Sequence, residues 1–121
     1  MGIEERKFPR LPLRLTTFVK YLSTGKVRRT LTQDLSAGGA CLVTEELLEP
    51  GTQLELGIKL PDFDKPITCT VEVVRSQPTA APRKSYEPVI AETSVKIVQI
   101  DPKSRALLLQ FTTLNAPPPG S

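Results

Sequence analysis

The chain contains no histidine and no tryptophan among its 121 residues. Catalysis by a Ser–His or Cys–His pair is therefore excluded. Only two cysteines, Cys41 and Cys69, are present, so a zinc site built from cysteine and histidine would lack ligands. Both fall in β-forming runs, where we expect two buried thiols, although a bridge between neighbouring strands stays open. Since no convincing cluster of paired carboxylates supplies a general base, the sequence predicts a protein that is not an enzyme.

Long apolar segments are also missing. No run approaches the roughly 20 apolar residues that a membrane span needs. The N-terminus lacks the basic, apolar and small-residue regions of a signal peptide, so the sequence predicts a cytoplasmic protein without a membrane span. The length suits one domain with a modest core. Because only 5% of the residues are aromatic, leucine, valine and isoleucine must fill that core.

The charge is distributed unevenly along the chain. Residues 1–33 carry eight basic and two acidic residues, a net charge of +6, whereas residues 34–121 carry eight basic and eleven acidic residues, a net charge of −3. A basic first quarter suggests an anionic partner, with a merely solvated arm as the alternative. A nucleic-acid-binding barrel is a further alternative. Stacking aromatics are scarce, with four Phe and two Tyr, so we expect no nucleic-acid partner.

Alternating apolar residues predict six short strands. The first follows Leu13, and a turn at residues 23–26 leads into the second. The fourth and fifth alternate most clearly, through Leu54, Leu56, Ile58 and Leu60 and then through Ile67, Cys69, Val71 and Val73. One helix follows the last strand. The sequence therefore predicts an all-β fold with one helix, a six-stranded antiparallel β-barrel with a C-terminal α-helix, and leaves an open β-sandwich as the alternative.

The helix has a clear start signal. Asp101 can cap it, and Pro102 suits its first turn. Its predicted apolar stripe runs through Leu107, Leu108, Phe111 and Leu114. We expect a flexible N-terminal arm at residues 1–12, the barrel and helix at 13–114, a disordered tail at 115–121 and a Pro-rich loop at 76–88.

Two short motifs combine residues that suit recognition of a nucleotide. Arg6 and Arg10 form RxxxR, and residues 34–39 form DxSxxG. Arginine can bind phosphate oxygens with a two-pronged fork, and the same fork matches guanine O6 and N7. The chain between the motifs is long enough for one hairpin, which returns it to where it began. The second motif can therefore lie beside the first.

Together these motifs, their order and their spacing resemble the PilZ domain, the bacterial receptor module for cyclic di-GMP. The resemblance covers most of the chain. It implies that Arg6 and Arg10 clamp guanine and phosphate of cyclic di-GMP, and that no cofactor is needed. Asp34 would accept hydrogen bonds from guanine N1–H and N2–H, and Ser36 would offer its hydroxyl to guanine or phosphate. Gly38 and Gly39 would allow a close backbone approach.

One position departs from the family pattern. Many members carry a further arginine before RxxxR, where it favours a stacked ligand dimer, and this chain has Glu5 there. A carboxylate repels phosphate, so we expect one cyclic di-GMP per chain. Arg75 could add a phosphate contact, although a surface arginine is the simpler interpretation.

The resemblance implies a receptor whose N-terminal arm becomes ordered on ligand binding and which then signals to a separate, unidentified partner protein. An adapter that binds partners without the nucleotide is the alternative, but adapters of this kind generally lack the two motifs.

Overall fold

The computed structural model describes residues 12–79 and 90–115. Within them the chain forms six strands and then one helix. The elements are β1 (Thr16–Tyr21), β2 (Val27–Ser36), β3 (Gly39–Thr44), β4 (Gln53–Ile58), β5 (Ile67–Pro78), β6 (Ala91–Ile100) and α1 (Pro102–Asn115).

The strands close into a barrel in the order β1-β2-β3-β6-β5-β4. The first and last strands of this order pair through Val19 and Leu56, and all six neighbouring pairs are antiparallel. Closure pairs the edges that an open sheet would leave exposed. The predicted six-stranded barrel with a C-terminal helix is confirmed, and the alternative of an open sandwich is not observed.

The period-two pattern places the core inside the barrel. Leu54, Leu56 and Ile58 of β4 are at most 1% exposed, as the alternation predicts. Cys69 of β5 is also buried, but Cys41 of β3 is only half-buried, so the prediction of a buried thiol is wrong there. The reason is that inward-facing neighbours flank Cys41, and its side chain therefore points outward. Neither cysteine is in a disulfide.

Register shifts interrupt the regular pairing at three places in the described strands, and two of them affect outward-facing residues. In β2 the register against β3 shifts between Thr32 and Asp34, and in β5 the register against β6 shifts between Val73 and Arg75. A bulge gives one strand an extra residue and changes the direction of the side chains that follow. As a result, Asp34 and Arg75 both lie on the outside of the barrel.

The helix start follows the predicted cap, but one apolar position does not follow the predicted stripe. The Asp101 carboxylate accepts hydrogen bonds from the N–H of Lys103 at 3.0 Å and of Ser104 at 3.3 Å. Leu108 is buried in the core, whereas Leu114 is 74% exposed. Leu114 comes six positions after Leu108, which is about 240° around an α-helix. Thr112, one turn after Leu108, is buried instead, and its hydroxyl donates to the Leu108 carbonyl at 2.9 Å.

The segment predicted as a loop at 76–88 begins later than expected. Residues 76–78 belong to β5, because they pair with Thr93, Glu92 and Ala91 of β6. Pro78 is the last residue of its strand, and the N–H of Thr79 after it donates to the Ile90 carbonyl at 3.0 Å. The rest of that loop from residue 80, the arm through residue 11 and the tail from residue 116 lie outside the described residues. No described helix is both long and apolar enough to cross a membrane.

Candidate functional site

Four outward-facing residues form a row across four neighbouring strands. Asp34 pairs with Cys41, Cys41 pairs with Ser94, and Ser94 pairs with Arg75. With strands ~4.8 Å apart, the row spans about 14 Å. Each of the two residues at its ends, Asp34 and Arg75, follows a register shift. The barrel therefore presents a carboxylate and a guanidinium at opposite ends of one line.

This row borders a surface cavity of about 250 Å³. We call the surface that lines this cavity the polar wall. It consists of Gln33, Asp34, Cys41, Arg75, Gln77, Glu92 and Ser94. Complete sites for small molecules usually enclose ~300–1,000 Å³. The cavity at the polar wall is thus slightly smaller than a complete small-molecule site.

Ser36 stabilises the turn between β2 and β3. Its hydroxyl accepts hydrogen bonds from the N–H groups of Gly38 and Gly39, each at 3.1 Å. The same oxygen lies 3.3 Å from the Gly39 carbonyl, to which it can donate, and Ser36 is only 6% exposed. This hydroxyl is therefore engaged inside the turn, and its predicted contact with a ligand stays a prediction.

Gly39 allows a close approach, and the group that approaches is strand β6. A Cβ atom at this position would overlap the Val95 carbonyl oxygen and lie 3.3 Å from the Cα of Lys96. Nearby, the Gly38 carbonyl accepts a hydrogen bond from the Ile97 N–H at 2.9 Å. The glycines of the motif thus join the turn to the neighbouring strand.

A buried polar chain supports the polar wall from inside the barrel. The hydroxyl of Thr93 lies 2.8 Å from the hydroxyls of both Thr44 and Ser76. Thr93 is fully buried and belongs to β6, whereas its partners belong to β3 and β5. Buried hydroxyls that have partners fix strand positions, since losing a partner is costly. Glu92 and Ser94, which flank Thr93, are therefore held in place on the outer surface.

The residues that follow the predicted arm are bonded to β2 close in sequence to Asp34. The Thr32 hydroxyl donates to the Leu13 carbonyl at 2.7 Å and accepts from the Leu15 N–H at 3.0 Å. Arg6 and Arg10 lie outside the described residues. Leu13, which comes three residues after Arg10, is thus fixed to Thr32, two residues before Asp34.

Sequence reasoning missed most of the polar wall. Glu92, Ser94 and Gln77 carry no motif, and polar residues at alternate strand positions look like any solvent-facing side. The sequence favours a surface arginine at Arg75. It is indeed exposed, but it shares the cavity with Asp34. The only available signal was the run Val71–Val73–Arg75, in which the apolar alternation stops.

A second surface cavity, of about 200 Å³, lies beside Tyr21, Arg28 and Glu45. It contains no residue of either motif, and Arg28 there lies 3.7 Å from Glu45 in an exposed ion pair. Burial, together with the carboxylates of Glu46 and Glu45, raises the pKa of Tyr21. Among residues 12–79 and 90–115 no group of three or more potential ligands could hold a metal ion.

Solved structures with the same fold include proteins bound to cyclic di-GMP. The PilZ domain of YcgR from Escherichia coli with cyclic di-GMP has a TM-score of 0.71 at 13% identity, covering 91% of this chain and 90% of that one. MrkH of K. pneumonia in complex with cyclic di-GMP has a TM-score of 0.71 at 16% identity, covering 89% of this chain and 51% of that one.

The inhibitor of motility of Bacillus subtilis also has a TM-score of 0.71, at 22% identity. The alignment covers 90% of this chain and 50% of the inhibitor, so the chain spans about half of that protein's length. No curated protein is significantly similar in sequence. The family model of the PilZ domain matches residues 4–114, nearly the whole chain. The chain belongs to the PilZ domain family.

Proposed function

We propose that this chain is a receptor for cyclic di-GMP, which it binds between the N-terminal arm and the polar wall. The observation that carries the proposal is the attachment of the arm. Thr32, two residues before Asp34, bonds to Leu13, which comes three residues after Arg10, so a short stretch of chain connects RxxxR to the strand that carries Asp34. Family membership supports the proposal, because PilZ domains are in general cyclic di-GMP receptors and not enzymes. Three-dimensional neighbours that contain this ligand support it as well.

The proposed contacts follow from the chemistry of the ligand. Arg6 and Arg10 bind guanine and phosphate through charge-assisted hydrogen bonds, and Asp34 accepts from the guanine N1–H and N2–H groups. Arg75, at the far end of the row from Asp34, adds a cation for a phosphodiester. Ser36, Gly38 and Gly39 hold the turn that carries Asp34 toward the ligand.

The proposed signalling depends on the N-terminal arm, which would complete the binding site. A cavity of about 250 Å³ is small for a dinucleotide, so the arm must supply the rest of the contacts. We infer that binding changes the order of residues 1–12 and creates a surface that a partner protein recognises. Glu5 beside RxxxR favours one ligand per chain, because its carboxylate would repel the phosphates of a second ligand. The cytoplasmic location expected from the sequence stays a prediction.

The direct test is calorimetric titration with cyclic di-GMP and with cyclic di-AMP. We expect saturation at one cyclic di-GMP per chain and far weaker binding of cyclic di-AMP, because adenine lacks the N2 amine and has a donor in place of O6. Equal affinity for both would contradict the proposed guanine contacts. Absence of binding to either would support the adapter alternative.

Cysteine alkylation locates the ligand independently. Cys41 lies in the middle of the row, whereas Cys69 is buried inside the barrel. We expect saturating cyclic di-GMP to slow alkylation of Cys41 by a small maleimide. Cys69 in the same sample should remain slow with or without ligand, which makes it the internal control. Cys41 reacting at one rate in both conditions would show that the ligand does not cover the polar wall.

A further inference from the structure

Glu92 adds a second carboxylate to the cavity that Asp34 lines. It is half-buried on β6, between Val43 of β3 and Gln77 of β5. A carboxylate close to a doubly negative ligand repels its phosphates and lowers affinity. It favours binding only where the ligand presents hydrogen-bond donors. The position of Glu92 therefore calls for a donor group on the bound molecule.

Guanine presents such donors. Its N1–H and N2–H groups point in one direction and match the two oxygens of a carboxylate, whereas adenine places an acceptor at N1. Cyclic di-GMP carries two guanines on opposite sides of one ring. One carboxylate cannot accept from both base edges, so a site that recognises both guanines needs two separate acceptors.

The strand register separates Glu92 from Asp34 by a suitable amount. Two strand spacings and two residues along the strand lie between them, which puts their Cα atoms on the order of 12 Å apart. We propose that Glu92 is a specificity-determining residue, which accepts from the Watson–Crick edge of one guanine while Asp34 accepts from the other. This inference rests on the proposed function as a cyclic di-GMP receptor.

A different role for Glu92 makes a different prediction. Arg75 pairs with Ser94, two residues from Glu92, and is therefore its diagonal neighbour across β5 and β6. If Glu92 only positioned Arg75, its removal would weaken every cyclic dinucleotide by the same factor. If Glu92 recognises a base, its removal weakens the binding only of a ligand that places guanine beside residue 92.

The test uses cyclic di-GMP and the mixed cyclic GMP–AMP that has two 3′–5′ linkages. The mixed ligand has the same charge and backbone but one guanine. For the unmodified protein we expect Kd for the mixed ligand to be roughly 5- to 150-fold higher, the usual value of one bidentate base contact. For the Glu92→Ala variant we expect the Kd of cyclic di-GMP to rise by that factor and the Kd of the mixed ligand to stay the same. The two Kd values then nearly coincide.

Glu55→Ala is the matched control, because Glu55 is an exposed carboxylate of β4 outside the cavity. This variant should leave the ratio of the two Kd values, mixed ligand over cyclic di-GMP, unchanged. Glu92→Gln covers the case in which Glu92→Ala fails to fold. It should also lower the ratio, because its amide donor faces a guanine donor. An unchanged ratio, or an equal loss for both ligands, overturns the inference. Failure of the unmodified protein to bind cyclic di-GMP would instead remove the proposed function.

Discussion

The DxSxxG motif divides into two parts that lie in different environments. Asp34 is half-buried on the outer surface of the barrel and borders the polar cavity. Ser36 and Gly39 are buried, and their contacts are with the turn itself and with β6. A short motif can therefore combine a residue that faces a surface cavity with residues that hold the turn in place. Affinity and stability must be measured separately at each position.

The largest expected effect is on stability, at Gly39. In Gly39→Ala the new methyl group overlaps the Val95 carbonyl oxygen, so the backbone of β3 or β6 must move. We expect the free energy of unfolding to fall by about 3 kcal/mol or more in chemical denaturation.

Gly57→Ala is the matched control, because its Cβ would lie 3.7 Å from the nearest atom, the Cβ of Pro66. The change at Gly57 should stay within about 1 kcal/mol. Equal stabilities of the two variants would show that β3 and β6 are not closely packed at Gly39.

The next largest effect is expected for a substitution in the N-terminal arm, which should change the affinity for cyclic di-GMP and not the stability. Arg10→Ala should weaken cyclic di-GMP binding roughly ten- to two-hundred-fold, because losing one charge-assisted contact costs about 1.5–3 kcal/mol. Its melting temperature without ligand should not change. Arg14→Ala, an exposed arginine just after the arm, should keep full affinity. A fall of many degrees in the melting temperature of Arg10→Ala would instead mean that the arm is a packed structural element.

Ser36→Ala tests the division of the motif directly. The substitution removes the acceptor of two backbone N–H groups, so we expect a loss of about 1–3 kcal/mol of stability. The folded fraction should keep most of its affinity, measured by calorimetry at low temperature. Ser23→Ala in the exposed turn between β1 and β2 is the control. A large loss of affinity at unchanged stability would assign Ser36 to the ligand.

The smallest expected effect is on the pH dependence of stability, and it compares a thiol inside the barrel with one on its outer surface. Burial raises the pKa of the Cys69 thiol to about 11, above its usual value of 9.0. Between these values the unfolded chain loses the proton and the folded chain keeps it. The stabilising contribution is therefore complete below pH 9 and disappears as the pH rises toward 11. At pH 10 the free energy of unfolding has fallen by about 1 kcal/mol through this group.

Cys69→Ala should show a weaker decrease in unfolding free energy over this range, measured by denaturant titrations at several pH values. Cys41→Ala, on the outer wall, is the matched control and should follow the unmodified protein. If Cys69→Ala and the unmodified protein keep parallel pH profiles, the Cys69 thiol does not remain protonated in the folded state.

The fold was largely predictable because its strands alternate with a period of two. Leu54, Leu56 and Ile58 showed which side of β4 faces inward, and Asp101 with Pro102 showed where α1 begins. The sequence did not reveal the end of β5, because Pro78 resembles a loop residue. Only pairing with Ala91 on β6 makes it part of a strand.

Local sequence patterns are enough to predict the alternating core, the helix start and the two motifs, since each depends on residues close together in the chain. The neighbours of the motifs depend instead on how distant strands pair. The bulges at Asp34 and Arg75 depend on register against neighbouring strands, and they bring both residues to one row with Ser94. Glu92 lies in the same cavity as Asp34 because β6 pairs with both β3 and β5. Long-range pairing of this kind leaves no local pattern in the sequence, because an outward-facing polar residue looks the same beside a cavity as beside bulk water.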